Sequence, residues 1–176
     1  MTRAKKTHTP SIEVHLLREG IVESSHQVEA SVCDVRGRTL LAAGNYEASA
    51  FIRSALKPFQ ALAVTSTGTL QKYDLSDRDL AIMCSSHQGT VEQARQAFNV
   101  LWRADVDPTN LKCPISPGKR TRLQHNCSGK HAGFLTLTKH MRAGPEYVDP
   151  AHPLQMACLD AIETVTQETS PGYGID

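Results

Sequence analysis

Ser54-Ala55-Leu56-Lys57 sets a hydroxyl and an amine three residues apart, a spacing that brings two side chains onto one face of a helix within mutual reach. A serine hydroxyl is a weak nucleophile at neutral pH, and an adjacent amine in its neutral form takes its proton as the oxygen attacks a carbonyl. A helix start adds N–H groups that stabilise the resulting oxyanion. The same four residues also admit a plainer reading, a capping serine beside a solvated lysine. Cys84-Ser85-Ser86-His87-Gln88-Gly89 follows the apolar residues 80–83, where a chain leaving the core presents its side chains at a cleft. Its serines suit a second hydroxyl or a substrate clamp, or simply a capping turn before a helix near Thr90.

His125-Asn126-Cys127-Ser128-Gly129-Lys130-His131-Ala132-Gly133 concentrates two imidazoles, a thiol, an ammonium and two glycines at an expected helix start. Cys127 and His131 are spaced to ligate one metal from one helical turn, with His125 nearby. A structural zinc usually takes four ligands, however, and the chain has no Cys-x-x-Cys pair. Gly129-Lys130 has the ending of a phosphate loop, but Gln124 stands where the first glycine is needed and His131 where Ser or Thr is needed, so that reading is rejected.

The elements that must position these groups follow from periodicity. Residues 11–17 and 21–34 alternate around Arg18-Glu19-Gly20, and Arg36-Gly37 precedes 39–43, which predicts a three-stranded antiparallel meander. Helices follow. Residues 55–67 carry helical spacing with Gly68 as a stop, and Pro58 is tolerated only near a helix start, which puts Ser54 at or just before the first turn. Ser76 with Asp79 opens a segment over 79–84, and Thr90 with Gln93 predicts a capping box for a helix through Trp102. Residues 105–121, rich in Pro and Gly, read as a long exposed connection. Residues 129–142 and 153–166 return to helical spacing, and the last residues, from Ser170 on, read as a loop leading into a strand.

At 176 residues one domain and one core are expected. Lys and Arg number 19 against 18 Asp and Glu, a net charge of +1 that offers no basic face to a nucleic acid. No stretch has the roughly 20 apolar residues of a membrane helix. Residues 1–10 read as a disordered tail, not a signal peptide. Five scattered cysteines argue against a disulfide framework, and the expectation is a cytoplasmic protein with a small-molecule partner.

Taken in order, Arg53-Ser54-Ala55-Leu56-Lys57-Pro58-Phe59-Gln60, Cys84-Ser85-Ser86-His87, the nine residues from His125 to Gly133, and His152-Pro153-Leu154-Gln155 closely resemble the asparaginase II family, the thermolabile, rhizobial type of L-asparaginase. The resemblance implies an α/β (α+β) chain of the serine β-lactamase-like fold, with N-terminal antiparallel strands followed by helices, and hydrolysis of L-asparagine to L-aspartate and ammonia. It implies Ser54 as nucleophile, Lys57 as its activating partner and Ser86 as a second active-site serine. Cys127 and Lys130 match two ligands of a zinc ion, and a lysine must be neutral to bind metal. The resemblance also implies Arg53 and His131 as part of the substrate pocket. Members of the family are about twice as long, so residues 11–176 are expected to be the N-terminal portion of a catalytic domain, with a third zinc ligand beyond Asp176 and a homodimer or a complementing C-terminal chain as partner.

Two other classes stay open at this level. One is a truncated, non-catalytic fragment that binds an amino acid or a partner chain. The other is a penicillin-recognising enzyme, which shares Ser-x-x-Lys but also needs Ser-Asp-Asn and Lys-Thr-Gly motifs that this chain lacks.

Overall fold

A computed structural model describes residues 7–170 and 172–175. The chain divides into two units, Met1–Phe51 and Ile52–Asp176. Strands fill the first and helices the second, a mixed α and β composition in the expected order.

In the first unit β2 (Ile12–Arg18) and β3 (Ile21–Val28) form an antiparallel hairpin. Its two-residue loop has φ +50° at Glu19 and +83° at Gly20, the double positive φ of the hairpin turn whose twist matches its strands. β4 (Ala30–Cys33) pairs antiparallel with β5 (Thr39–Ala43). The Asp34 carboxylate builds the turn between them, accepting from the Arg36 and Arg38 N–H groups at 2.9 Å each. The expected single meander is instead two small sheets. Residues 21–34 divide at Glu29, whose carboxylate accepts from Ser11 Oγ at 2.9 Å, so β3 pairs with β2 while β4 and β5 form a sheet with β1 (Thr7–Thr9). Of the segment 1–10 expected as a tail, residues 1–6 lie outside the described residues, and Thr7–Thr9 runs parallel to β5.

The second unit holds the main hydrophobic cluster, which the expectation of one core had spread over the whole chain. Its helices are α1 (Lys57–Thr65), α2 (Thr69–Lys72), α3 (Asp77–Cys84), α4 (Val91–Arg103), α5 (Ser128–His140) and α6 (Pro153–Thr166). The expected capping box of Thr90 and Gln93 opens α4, and Ser76 with Asp79 forms another that opens α3 at Asp77, two residues before the expected start; each satisfies two N–H groups that the helix leaves unpaired. The Asp79 carboxylate is fully buried and also accepts from Gln96 Nε2 at 2.5 Å and Asn99 Nδ2 at 2.8 Å. These bonds outweigh its desolvation and hold its pKa below the usual carboxylate value. One carboxylate thereby ties α3 to α4.

α5 lies at the centre, packed by α1, α3, α4 and α6, and is buried on every side from Ser128 to Thr138. A helix buried all round lacks the one-sided apolar stripe of a surface helix. Its approach to α3 needs glycine: a Cβ on Gly129 would stand 2.1 Å from the Ile82 carbonyl oxygen, and one on Gly133 2.8 Å from Met83 Sδ. The connection 105–121 is less exposed than expected, since Leu111 and Cys113 are buried in the core and the Arg122 guanidinium donates to the Leu111 carbonyl.

Gly129→Ala is therefore expected to lower unfolding free energy by about 1–3 kcal/mol, as overpacked core sites do. Urea denaturation checks it, and an unchanged midpoint would show that α3 and α5 separate freely.

Candidate active site

Ser54 lies in a 3-10 turn, Arg53–Leu56, that leads directly into α1. Pro58 in the first turn of α1 fixes where that helix begins. The side chain of Ser54 is exposed and makes no hydrogen bond among the described residues. Arg53 before it has φ +52°, a left-handed conformation uncommon outside glycine.

Lys57, three residues on, is turned inward and only 2% exposed. Its Nζ donates to Ser86 Oγ at 2.7 Å, to the Ser85 carbonyl at 2.9 Å and to the Asn126 carbonyl at 3.4 Å. The structure thus joins Lys57 to Ser86, and it shows no hydrogen bond between the Ser54 and Lys57 side chains; the backbone N–H of Lys57 donates to the Ser54 carbonyl instead. Ser86 itself is exposed.

The two loops that supply these acceptors are held together. The His87 N–H donates to the Asn126 carbonyl at 3.1 Å. Lys119 Nζ reaches from the long connection to the Gln88 carbonyl at 2.7 Å. Gly89, with φ +68°, leaves room that a Cβ would close, 2.1 Å from the Gln124 carbonyl oxygen.

Cys127, Lys130 and His131 lie on and just before the first turn of α5, and all three are buried. Lys130 Nζ stands 5.7 Å from the centre of the Phe134 ring, and together with Lys57, Met83 and Phe134 it lines one narrow gap between α1, α3 and α5. Tyr147, fully buried, orients His131. Its hydroxyl accepts from the Lys112 N–H at 2.8 Å and lies 2.9 Å from His131 Nδ1. Burial drives the Tyr147 pKa up, so the phenol stays protonated.

Among the described residues no three His, Cys, Asp or Glu side chains stand together as a metal-holding group, so His125, Cys127 and His131 form no such site. Cys127 and Lys130 give two donors on one turn. By themselves they do not complete a zinc site. Burial pushes the thiol of Cys113 up to about 11 and that of Cys158 to about 12.

Tyr147, the Ser85 and Asn126 carbonyls and the role of His87 escaped the sequence reading. Backbone carbonyls carry no residue type to read, and Tyr147 sits in a Gly-Pro-Glu-Tyr loop with no motif of its own.

The model of the L-asparaginase II family matches residues 14–176, and the chain belongs to that family. Membership points to hydrolysis of an amide in a small molecule. No curated protein matches the chain. No helix among the described residues is long and apolar enough to cross a membrane.

His87 gives the site a pH signature. Burial first, then the cations of Lys57, His125 and Lys119, lower its pKa below the ordinary 6.5. The unfolded chain therefore binds this proton more readily than the folded one. Its contribution to stability is full above about pH 6.5 and is lost as pH falls through the lowered value. Melting temperature is expected to drop between pH 7.5 and 5.5, with a smaller drop in His87→Gln; equal drops in both proteins would refute the assignment.

Proposed function

We propose that the chain carries the catalytic centre of an L-asparagine amidohydrolase on a serine β-lactamase-like scaffold, with Ser54 as nucleophile. The observation that supports this reading most is the contact of buried Lys57 with Ser86 at 2.7 Å. Two of the Lys57 contacts are carbonyls, which only accept. In the neutral amine they take up the two N–H groups, and the lone pair is left for a hydroxyl proton.

On this reading Ser54 Oγ attacks the side-chain amide carbon as its proton passes by way of the Ser86 hydroxyl to Lys57 Nζ. As the carbon–nitrogen bond breaks, Lys57 returns the proton through the Ser86 hydroxyl to the leaving nitrogen, and ammonia departs. Water then attacks the seryl ester, giving its proton to Lys57. The ester bond breaks, Ser54 recovers a proton and aspartate is released. Arg53 and His131 are the proposed holders of the amino-acid head group.

Ser54→Ala is expected to abolish ammonia release from L-asparagine, and Lys57→Met to lower it by at least about 100-fold. Full retention of activity in Ser54→Ala sinks the mechanism. Release by neither wild type nor variant leaves the binding-fragment reading standing.

Zinc is proposed as a companion of this site, with Cys127 and Lys130 as two of its ligands; when bound it would polarise the substrate's carbonyl. Metal analysis after dialysis is expected to show zinc in the wild type and a loss of at least about tenfold in Cys127→Ser. Equal retention removes Cys127 from the ligand set.

A further inference from the structure

His87 is buried between the loop that carries Ser85 and Ser86 and the loop that opens α5. Both ring nitrogens are used. Nδ1 accepts from the Gly89 N–H at 3.1 Å, which a protonated nitrogen cannot do, so the neutral ring carries its hydrogen on Nε2. Nε2 lies 3.0 Å from Ser128 Oγ, and that hydroxyl donates onward to the Leu123 carbonyl at 2.7 Å. The Ser128 hydroxyl has one hydrogen and spends it on Leu123, so it accepts from His87. The directions agree along the whole chain of bonds, from Gly89 through His87 and Ser128 to Leu123. The ring and the backbone bond from the His87 N–H to the Asn126 carbonyl at 3.1 Å together clamp one loop to the other.

Those two loops supply every acceptor of Lys57: Ser85 and Ser86 from one, Asn126 from the other. A shift of residues 85–89 against 123–128 moves Ser86 Oγ away from Nζ without touching either residue. We propose that His87, as a neutral Nε2–H imidazole, is the positioning residue that sets Ser86 against Lys57 by locking the 85–89 loop to the start of α5. The proposal rests on the reading of Lys57 and Ser86 as the proton-transfer pair. His87 acts through the loop and does not touch substrate. Burial first, and then the positive charge of neighbouring groups such as Lys119, disfavours the imidazolium form, which would lose the Gly89 bond.

The test has two arms on the full chain. Long-range proton–nitrogen NMR of the imidazoles, with His87→Gln to assign the signal, is expected to show an unprotonated Nδ1 and a protonated Nε2 at pH 7. Ser128→Ala should shift the Nε2 signal, and His87→Ala should move the amide signals of Ser85 and Ser86. An Nδ1–H tautomer, or Ser85 and Ser86 signals indifferent to His87→Ala, overturns the proposal. In the activity arm, His87→Ala is expected to lower kcat by about 100-fold with KM little changed, the effect of an ångström-scale misplacement. His87→Asn, whose Oδ1 can accept from Gly89, should recover part of it. A His87→Ala enzyme that melts lower but keeps its kcat while folded also overturns it. If the wild type releases no ammonia, the reading of Lys57 and Ser86 fails, and the NMR arm still decides what His87 holds.

Discussion

A primary amine with almost no solvent exposure, Lys57, is the constraint on which the arrangement of the second unit turns. Burying such a group costs several kcal/mol unless its hydrogens find acceptors. No acceptor comes from α1 itself. All three come from loops 28 to 69 residues further along the chain. The loop after α3 and the loop before α5 must therefore reach the first turn of α1, and once they do, Ser86 is presented to the amine as a matter of satisfying it. On the proposed reading, stability and chemistry share one set of contacts here.

α5 meets the same demand from the other side. It places Cys127, Lys130 and His131 in the interior at its first turn, and it does so by giving up side-chain volume at Gly129 and Gly133. Glycine weakens a helix intrinsically, and this one offsets that cost by packing against four neighbours. Tyr147 and His131 then close a hydrogen-bonded chain that begins at a backbone N–H. Side chains that could each point several ways are held in one orientation.

Local chemistry was legible in the sequence wherever a residue type states its own requirement. Ser76 with Asp79 and Thr90 with Gln93 announced the starts of α3 and α4, Pro58 announced the start of α1, and Pro153 opens α6 where periodicity put it. Gly20 marked the hairpin turn. What periodicity could not separate was β3 from β4, because residues 21–34 alternate without a break and only the pairing with distant strands divides them. The burial of Leu111 and Cys113 inside a Pro- and Gly-rich connection was hidden for the same reason: tertiary packing decides it. Ser54, Lys57 and Ser86 were visible as types at a spacing, but the partner of Lys57 was not. Ser-x-x-Lys suggests a direct pair, whereas the inward turn of Lys57 at the start of α1 joins it to Ser86.

The packing of α1 against α6 has a temporal side. These are the first and last helices of the second unit, so its interior is closed by a contact between segments about a hundred residues apart, and the entropy of that closure is spent before the contact rewards it. A ribosome delivers α1 through α5 well before α6. During that interval the nascent chain carries an uncovered apolar flank on α1, which makes this the stage of the protein's life at which a chaperone has something to hold.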